Sequence, residues 1–464
     1  MNFNLDFNAV AEHSFRYYQD LVRELNGEEK RVYIKTFGCQ QNESDSEKLL
    51  GLCMAMGYRP VSEPSEADLI LVNTCAVREH AEVKALSMLG RYKDFKRERP
   101  ELIIGLVGCM ASIKEIREQI KRSFKYVSFT LPPSVPERLP ELIYGVMKSG
   151  ERLFPEAPEC SPITEGVPTV RSERHRAYVS VMYGCNNFCT YCIVPYTRGR
   201  ERSRASEAVI DECRRLVEDG VREITLLGQN VNSYKSDLDF ASLLEKIANI
   251  EGDFTVRFMT SHPKDASDSL IEVMAKYKGK IAPHFHLPLQ SGSDRILKKM
   301  NRHYDKARFL SVVKTLREKI PDVSLSTDII VGFPSESEED FLETLKILQE
   351  VRFDMVYAFM YSERYGTPAA NMTDRVEQNI KEERLARLLE IQDGISLEAN
   401  MRLVGSVERV LVDRIEDFRG IPTATGRSGG GKLVHFPARH ARVGEIVSVE
   451  ITEAKTFSLN AKEI

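Results

Sequence analysis

The alternation of short apolar runs with stretches of helical periodicity constrains the fold of this chain more than any other feature. Three such runs precede a proline-rich segment and six follow it, with helical stretches between them. Before the segment they are 32–37, 69–73 and 102–107, and after it they are 177–182, 223–227, 256–259, 284–289, 324–331 and 355–360. Strands that alternate with helices predict parallel sheets in an α/β chain.

The length of 464 residues predicts about three domains, at roughly 150 residues each. We expect a parallel α/β layer domain over 31–150, after an N-terminal extension of residues 1–30 that carries no interpretable pattern. The segment from Pro155 to Pro168 contains four prolines and no apolar period. A linker is therefore predicted over 151–170.

The remainder of the chain divides into two parts with different sequence patterns. Six sequential β–α units over 171–402 suit an open or partial (β/α)6 barrel, whose reactive site belongs at the C-terminal ends of its strands. From Gly405 onward, short β-rich runs are punctuated by glycine and proline. We expect a small β-barrel over 403–464.

Composition limits the class of protein and its compartment. Hydrophobic residues make up 42% and charged residues 29%, which is typical of a folded domain protein. The longest apolar run, 102–111, is far shorter than the roughly 20 residues of a membrane helix. The N-terminus also lacks the basic and apolar regions of a secretory signal. We therefore expect a cytoplasmic protein with no membrane partner, in which disulfides are improbable.

Three of the nine cysteines, Cys185, Cys189 and Cys192, follow the first strand of the predicted barrel. Three thiolates at this spacing can hold three corners of a [4Fe-4S] cube and leave the fourth iron without a protein ligand. A zinc knuckle is the alternative, but it needs a fourth Cys or His at compatible spacing, and His175 lies ten residues upstream. The spacing therefore favours an iron–sulfur cluster with an open iron.

A second triad is spread over the first domain. Cys39, Cys75 and Cys109 each stand just past the end of a predicted strand. In a parallel sheet those ends lie side by side at one rim, so the three thiols could hold a second [4Fe-4S] cluster. Three unrelated buried thiols are the alternative. Cys53 and Cys213 lie in helical apolar patterns and Cys160 in the linker, so we interpret these as packing or incidental residues.

The first triad resembles the cluster motif of the radical S-adenosylmethionine family. With the second triad and the terminal barrel, the chain resembles methylthiotransferases of the tRNA-modifying MiaB type over about residues 31 to 460. The motifs that carry this resemblance are Phe37-Gly-Cys-Gln-Gln-Asn-Glu-Ser-Asp-Ser-Glu47, Asn73-Thr-Cys-Ala-Val-Arg78, Val181-Met-Tyr-Gly-Cys185, Arg198-Gly-Arg-Glu-Arg-Ser-Arg204, Leu227-Gly-Gln-Asn-Val-Asn-Ser-Tyr234, Leu287-Pro-Leu-Gln-Ser-Gly-Ser293 and Thr327-Asp-Ile-Ile-Val-Gly-Phe-Pro334. The resemblance implies a radical-SAM barrel and an RNA-binding TRAM module at the C-terminus.

The resemblance also implies the reaction, which replaces the C2–H of N6-isopentenyladenosine next to the tRNA anticodon by S–CH3. The C–H at that carbon is not acidic, so acid–base catalysis cannot remove its hydrogen as a proton, and a cofactor-borne radical is required. One S-adenosylmethionine would supply a 5'-deoxyadenosyl radical through the first cluster, and a second would methylate sulfur at the other cluster. The implied partners are an anticodon stem-loop and a low-potential electron donor such as flavodoxin or ferredoxin.

Polar residues at the predicted strand ends are candidates for holding S-adenosylmethionine, by analogy with the family's fold. The candidates are Tyr191, Gly228, Gln229, Asn230, Ser261, Gln290 and Asp328. For each of them, helix capping or a backbone hydrogen bond is the competing explanation.

RNA binding needs local positive charge, because the net charge of the chain is -4. One basic patch follows the cluster loop and one lies in the tail between 419 and 442, a stretch without acidic residues. The candidates are Arg198, Arg200, Arg202 and Arg204 in the first patch and Arg427, Lys432 and Arg439 in the second. A solvated surface is the alternative for each patch.

Three other functions compete with tRNA methylthiolation of isopentenyladenosine. One methylthiotransferase branch modifies an aspartate of a ribosomal protein, but it typically carries Leu-Gly-Cys-x-Lys-Asn where this chain has Phe37-Gly-Cys-Gln-Gln-Asn42. A second branch acts on threonylcarbamoyladenosine and tends to have Lys-Val-Asn at 40–42. A non-catalytic iron–sulfur RNA-binding protein would gain stability from a fourth ligand at each cluster, which argues against that class.

Overall fold

The computed structural model describes residues 12–76, 79–156 and 162–464. The chain forms two compact units. The first contains the described residues up to Ser172 together with 183–186 and 192–202, and the second contains 173–182, 187–191 and 203–464.

The first unit is built on a five-stranded parallel sheet with the order β2-β1-β3-β4-β5. Its elements are α1 (Glu12–Glu24), β1 (Arg31–Phe37), α2 (Gln40–Ala55), β2 (Arg59–Pro60), β3 (Leu69–Thr74), α3 (Glu79–Glu98), β4 (Ile103–Gly108), α4 (Lys114–Ser123), β5 (Phe129–Leu131) and α5 (Leu139–Ser149). The predicted parallel layer fold is confirmed, and two short strands, β2 and β5, extend the sheet at its edges.

Strands β3 and β4 are buried along their whole length. Leu69 and Leu71 pack into the apolar cluster on one face of the sheet, whereas Ile70 and Val72 pack into the cluster on the other face. Because both faces of a parallel sheet are covered, these strands are continuous apolar runs without polar alternation.

The second unit contains the partial (β/α) barrel expected from the sequence. Over residues 176–401 the elements are β6 (Arg176–Ser180), β7 (Met182–Tyr183), α6 (Val194–Arg198), β8 (Arg202–Ser203), α7 (Ser206–Glu218), β9 (Glu223–Leu227), α8 (Phe240–Ala248), β10 (Thr255–Phe258), α9 (Asp268–Lys276), β11 (His284–His286), α10 (Asp294–Lys299), α11 (Lys306–Lys319), β12 (Ser324–Val331), α12 (Glu338–Val351), β13 (Met355–Met360) and α13 (Gln378–Met401). Of these elements, α6 belongs to the first unit. Six strands form two parallel three-stranded sheets, β10-β9-β6 and β11-β12-β13.

The two faces of these barrel sheets differ in character. Residues such as Val179, Leu226 and Leu325 belong to the large apolar cluster that includes the helices. Their neighbours along each strand point to the opposite face, since successive side chains of a strand alternate. This opposite face, called the inner face below, is rich in polar side chains such as Glu223 and Asp328.

The C-terminal part is a closed five-stranded barrel with the order β14-β15-β16-β18-β17. Its strands are β14 (Val407–Phe418), β15 (Ile421–Ser428), β16 (Leu433–Pro437), β17 (Ile446–Ala454) and β18 (Leu459–Glu463). The predicted small β-barrel is therefore confirmed. No helix in the described part of the chain has the length and apolar character needed to cross a bilayer.

The closed barrel is fastened to the inner face of the (β/α) strands at their N-terminal ends. Arg257 on β10 donates hydrogen bonds to the carbonyl oxygens of Ser428 (2.7 Å) and Gly429 (2.8 Å). The three-glycine loop 429–431 lies against Pro283, Ser324 and His284. This loop therefore packs under the (β/α) strands and does not form a phosphate-binding loop.

Candidate active site

The register of the first unit brings Cys39, Cys75 and Cys109 to one rim of the sheet. Phe37 pairs with Thr74, and Thr74 pairs with Gly108, so strands β1, β3 and β4 end at the same level. Cys75 and Cys109 follow directly, and Cys39 follows after one glycine. Cys39 is exposed whereas the other two thiols are buried.

Two buried asparagines hold the loops that carry Cys39 and Cys75. The Asn42 side-chain amide donates to Asn73 Oδ1 and to the Thr74 carbonyl, both at 3.1 Å. The Asn73 amide donates in return to the Asn42 carbonyl at 2.8 Å. Since both side chains are fully buried, the exchange fixes the two loops against each other.

Glycine is needed where these loops approach most closely. Gly38 has φ +152°, and a Cβ added there would lie 2.8 Å from Cys75 Cβ. Any other residue at this position would push the Cys39 and Cys75 loops apart. The Phe37-Gly-Cys39 motif therefore has a steric cause.

The electrostatics of the rim favour thiolate. The pKa of Cys39 is lowered to about 6, chiefly by a hydrogen bond from the Cys75 side chain and also by the charge of Arg198. Burial raises the pKa of Cys109, and the nearby guanidinium of Arg198 opposes that rise. Three thiols at one rim, one of them acidic and one beside a cation, fit a [4Fe-4S] cluster with three protein ligands.

Arg198 contacts a cysteine of the rim, whereas the sequence predicts it as an exposed RNA-binding residue. Its Nε donates to Cys109 Sγ at 3.2 Å and its Nη2 to Asp45 Oδ2 at 2.7 Å. The side chain is buried. The sequence could not indicate this role, because the contact joins residues 89 positions apart.

The loop that carries Cys185, Cys189 and Cys192, called the cluster loop below, turns sharply at Gly184. The Cys185 N–H donates to the Gly199 carbonyl at 3.1 Å, and Gly184 has φ +78°. A Cβ at Gly184 would lie 2.1 Å from the Arg200 carbonyl oxygen. Glycine is therefore required for the close approach of residues 184–185 to residues 199–200.

In the second unit, the segment after α10 holds the middle of the cluster loop. Arg302 Nη1 donates to Cys189 Sγ at 3.3 Å. Asn301 donates to the Phe188 carbonyl at 3.0 Å, and Thr190 donates to the Lys299 carbonyl at 2.9 Å. Arg302 and Asn301 were not predicted, because neither lies in a motif or a periodic pattern.

The predicted S-adenosylmethionine residues lie at C-terminal strand ends of the second unit. Gly228, Gln229 and Asn230 follow β9, and Ser261 follows β10. Asn230 donates to Asp265 at 2.8 Å, yet its own Oδ1 and the Ser261 Oγ are buried without a hydrogen-bond partner. Buried polar atoms normally find partners, so these two fit a polar cofactor at this edge.

The other predicted cofactor residues lie on or beside β11 and β12. Gln290 has φ +68°, and its N–H donates to the Asp328 carbonyl at 2.8 Å. The Asp328 carboxylate lies 3.4 Å from His286 Nε2. Tyr191 contacts the edge of the Phe333 ring, with the ring centroids 6.5 Å apart.

Two aromatic side chains on the inner face of β13 were missed by the sequence reasoning. Tyr357 is 43% and Phe359 41% exposed, whereas the residues that alternate with them along the strand, Val356, Ala358 and Met360, belong to the apolar cluster that includes the helices. Tyr357 pairs in register with Asp328. Its ring packs against the His286 ring, with the ring centroids 6.0 Å apart. The alternation in Met355-Val-Tyr-Ala-Phe359 was the available signal, and it places both rings on the face of the strand away from the apolar cluster.

The predicted RNA residues separate by exposure. Arg200, Arg427 and Arg439 are exposed and Arg202 is half-buried. Arg204 is buried, where it binds the Ser180 carbonyl (2.9 Å) and Glu212 (2.7 Å).

Lys432 is also withdrawn from solvent. Its ammonium group is 2.9 Å from Asp354, and its side chain is 10% exposed. Together with the burial of Arg198 and Arg204, this corrects the predicted RNA surface. Direct phosphate contacts by these three residues would require breaking buried ion pairs.

Family models match each part of the chain. Residues 31–131 match Uncharacterized protein family UPF0004, 179–348 match the Radical SAM superfamily, and 401–463 match the TRAM domain. The chain is 45% identical over 461 residues to a tRNA-2-methylthio-N(6)-dimethylallyladenosine synthase of Thermoanaerobacter sp. (strain X514), covering 98% of both chains. The chain belongs to this synthase family.

Further relatives agree with the assignment to the tRNA-2-methylthio-N(6)-dimethylallyladenosine synthase family. The Acetivibrio thermocellus synthase is 46% identical over 95% of this chain and 94% of its own length. Among solved structures, the radical S-adenosylmethionine methyltransferase TsrM from Kitasatospora setae, with cobalamin and a [4Fe-4S] cluster bound, matches with a TM-score of 0.56. That match covers 74% of this chain and 77% of TsrM at 13% identity, so it supports the fold alone.

Proposed function

We propose that the chain converts N6-dimethylallyladenosine in tRNA to its 2-methylthio derivative. One observation carries the proposal. The chain matches a synthase over 98% of both chains and has a second cysteine triad, Cys39, Cys75 and Cys109, at the rim of its first unit. A radical S-adenosylmethionine enzyme that only cleaves its cofactor has no use for a second triad.

The chemistry of the substrate explains why the site needs cofactors. The C2–H of adenine is not acidic, so no side chain can remove it as a proton. With two [4Fe-4S] clusters and S-adenosylmethionine bound, the cofactors supply the radical, the sulfur and the methyl group. The protein contributes binding, orientation and electrostatics.

Each set of residues has one part in that scheme. Cys185, Cys189 and Cys192 hold the cluster that meets S-adenosylmethionine, and the rim triad holds the second. The buried atoms Asn230 Oδ1 and Ser261 Oγ, which lack a hydrogen-bond partner, would bond polar groups of S-adenosylmethionine. The remaining cofactor residues at this edge are Tyr191, Gly228, Gln229, Gln290 and Asp328.

The partners follow from the substrate and the chemistry. The tRNA presents the adenine in an anticodon loop, where an unpaired base leaves its stack at least cost. A low-potential protein such as flavodoxin or ferredoxin delivers the electron. A tRNA substrate agrees with the cytoplasmic location expected from the sequence.

The proposal is tested with anaerobically reconstituted protein and an anticodon stem-loop that carries isopentenyladenosine. We expect a 2-methylthio product by nucleoside mass spectrometry. The same sequence paired into a duplex should give no product, because the base is held in its stack. A stem-loop with threonylcarbamoyladenosine and a ribosomal-protein peptide serve as competing substrates. Modification of either one in preference to isopentenyladenosine would contradict the proposal.

The exposed arginines of the terminal barrel should supply phosphate contacts. We expect the Arg427→Ala/Arg439→Ala double variant to weaken tRNA binding and to reduce the slope of log K against log salt by about 1 per lost contact. Binding is measured by fluorescence anisotropy over a salt series. Lys432→Ala is the matched control, since Lys432 is paired with Asp354. It removes one cation from the same barrel, where the double variant removes two, and it should leave the slope unchanged instead of lowering it by about 1.

A further inference from the structure

In each cysteine triad, a guanidinium group donates to the sulfur of a predicted cluster ligand. Arg198 donates to Cys109 at 3.2 Å in the first unit, and Arg302 donates to Cys189 at 3.3 Å in the second. The two arginines come from unrelated segments, one at the end of α6 and one after α10. Because the same contact arises independently at both triads, it points to a shared physical role.

The surroundings of Arg198 show that its charge is held in place. Its Nη2 donates to Asp45, whose other carboxylate oxygen accepts from Gln41 at 3.1 Å. The preceding residue, Thr197, is held through its carbonyl by Ser112 Oγ at 2.8 Å. A buried cation is tolerated when it is paired and hydrogen-bonded, and Asp45 provides the pair while the Nε–H remains directed at Cys109.

We infer that Arg198 and Asp45 together set the reduction potential of the cluster held by Cys39, Cys75 and Cys109. The inference rests on the proposed function, which assigns a cluster to this triad. Reduction makes a cluster more negative, and hydrogen bonds to its sulfurs and nearby charges tune its potential. A cation that donates to Cys109 Sγ favours the reduced form and raises the potential. Asp45 opposes the cation and lowers the potential.

Arg198 is therefore a positioning and tuning residue, not a catalytic one. Arg302 has the corresponding role at Cys189. Arg198 donates to a cysteine of the rim triad and Arg302 to a cysteine of the other triad, so each arginine is placed to tune the potential of the cluster that it contacts.

The test isolates the second cluster in a full-length parent in which Cys185, Cys189 and Cys192 are all replaced by alanine. Its midpoint potential is measured by a redox titration followed by electron paramagnetic resonance, and its iron content is determined in parallel. We expect Arg198→Met to shift the midpoint to more negative values. Asp45→Asn should shift it in the opposite direction, because it removes a negative charge and keeps the guanidinium.

Two further variants separate charge from structure. Arg198→Lys keeps the cation and should lie closer to the parent than Arg198→Met. Arg200→Met removes an exposed cation two residues further along the chain and should leave the midpoint unchanged. If Arg198→Met fails to fold, the positive shift of Asp45→Asn still decides the question.

The outcomes distinguish this inference from the proposed function. Unchanged midpoints in loaded variants, or shifts of the same sign for Arg198→Met and Asp45→Asn, would overturn the role of Arg198 and Asp45 alone. A parent with intact Arg198 that binds no iron at the rim triad would overturn the cluster assignment itself, and with it both proposals.

Discussion

Replacing Cys39 or Cys75 with alanine should halve the bound iron and abolish the methylthio product while cleavage of S-adenosylmethionine continues. The parent should bind about eight irons and each variant about four, since each triad holds one four-iron cluster. Cys185→Ala should also lose about half of the iron, but it should abolish 5'-deoxyadenosine formation as well. Iron analysis and chromatography of the two nucleoside products measure these effects.

The control for the cysteine variants is Cys53→Ala. Cys53 is fully buried in α2 of the first unit, and burial raises the pKa of its thiol. Its substitution should leave the iron content of the folded protein unchanged. Full iron content in Cys39→Ala would remove the assignment of a cluster to the rim. Equal loss of cofactor cleavage in Cys75→Ala and Cys185→Ala would contradict the separate roles of the two triads.

Glu223→Ala should lower the free energy of unfolding by about 3 to 5 kcal/mol. Glu223 is buried and binds Arg176 and Arg257 with its two carboxylate oxygens. Burial alone would raise its pKa, but the charges of Arg257 and Arg176 hold the pKa below the usual value. Without the carboxylate, two guanidinium groups that are largely withdrawn from solvent lose their shared partner. Thermal and denaturant unfolding followed by circular dichroism measure the loss.

Asp253→Ala is the matched control for Glu223→Ala. Asp253 also pairs with an arginine, Arg409, but both side chains are more than half exposed. An exposed pair contributes about 1 kcal/mol or less. Comparable losses of unfolding free energy in the two variants would mean that burial does not determine how much the Glu223 network stabilises the fold. The lowered pKa also implies that the contribution of Glu223 is present above its unfolded-state pKa and is lost as pH falls through its folded-state pKa.

The strands and the cysteine rim were accessible to sequence reasoning because both depend on local pattern. Each of the nine apolar runs predicted as strands overlaps a strand in the structure. The position of each cysteine in the loop between a strand and the next helix follows from where its strand ends. The edge strands β2 and β5 were missed because two or three residues carry no detectable period.

The exposure of charged residues could not be predicted in the same way. Arg198, Arg204 and Lys432 resemble their exposed neighbours in sequence, yet each is paired with an acid from a distant segment or another element. Pairing of that kind depends on tertiary structure. Arg302 was missed for the same reason, since its partner Cys189 lies 113 positions away.

The contact between the closed barrel and the N-terminal ends of the (β/α) strands limits how the C-terminal module can be exchanged for that of another protein. Arg257 and loop 429–431 join the closed barrel to the start of the (β/α) strands. The RNA-binding module is therefore not an interchangeable attachment. A chimera that exchanges this module to alter tRNA choice must keep Ser428 to Lys432, or Arg257 will lose its two carbonyl acceptors and Asp354 will lose its ion-pair partner Lys432.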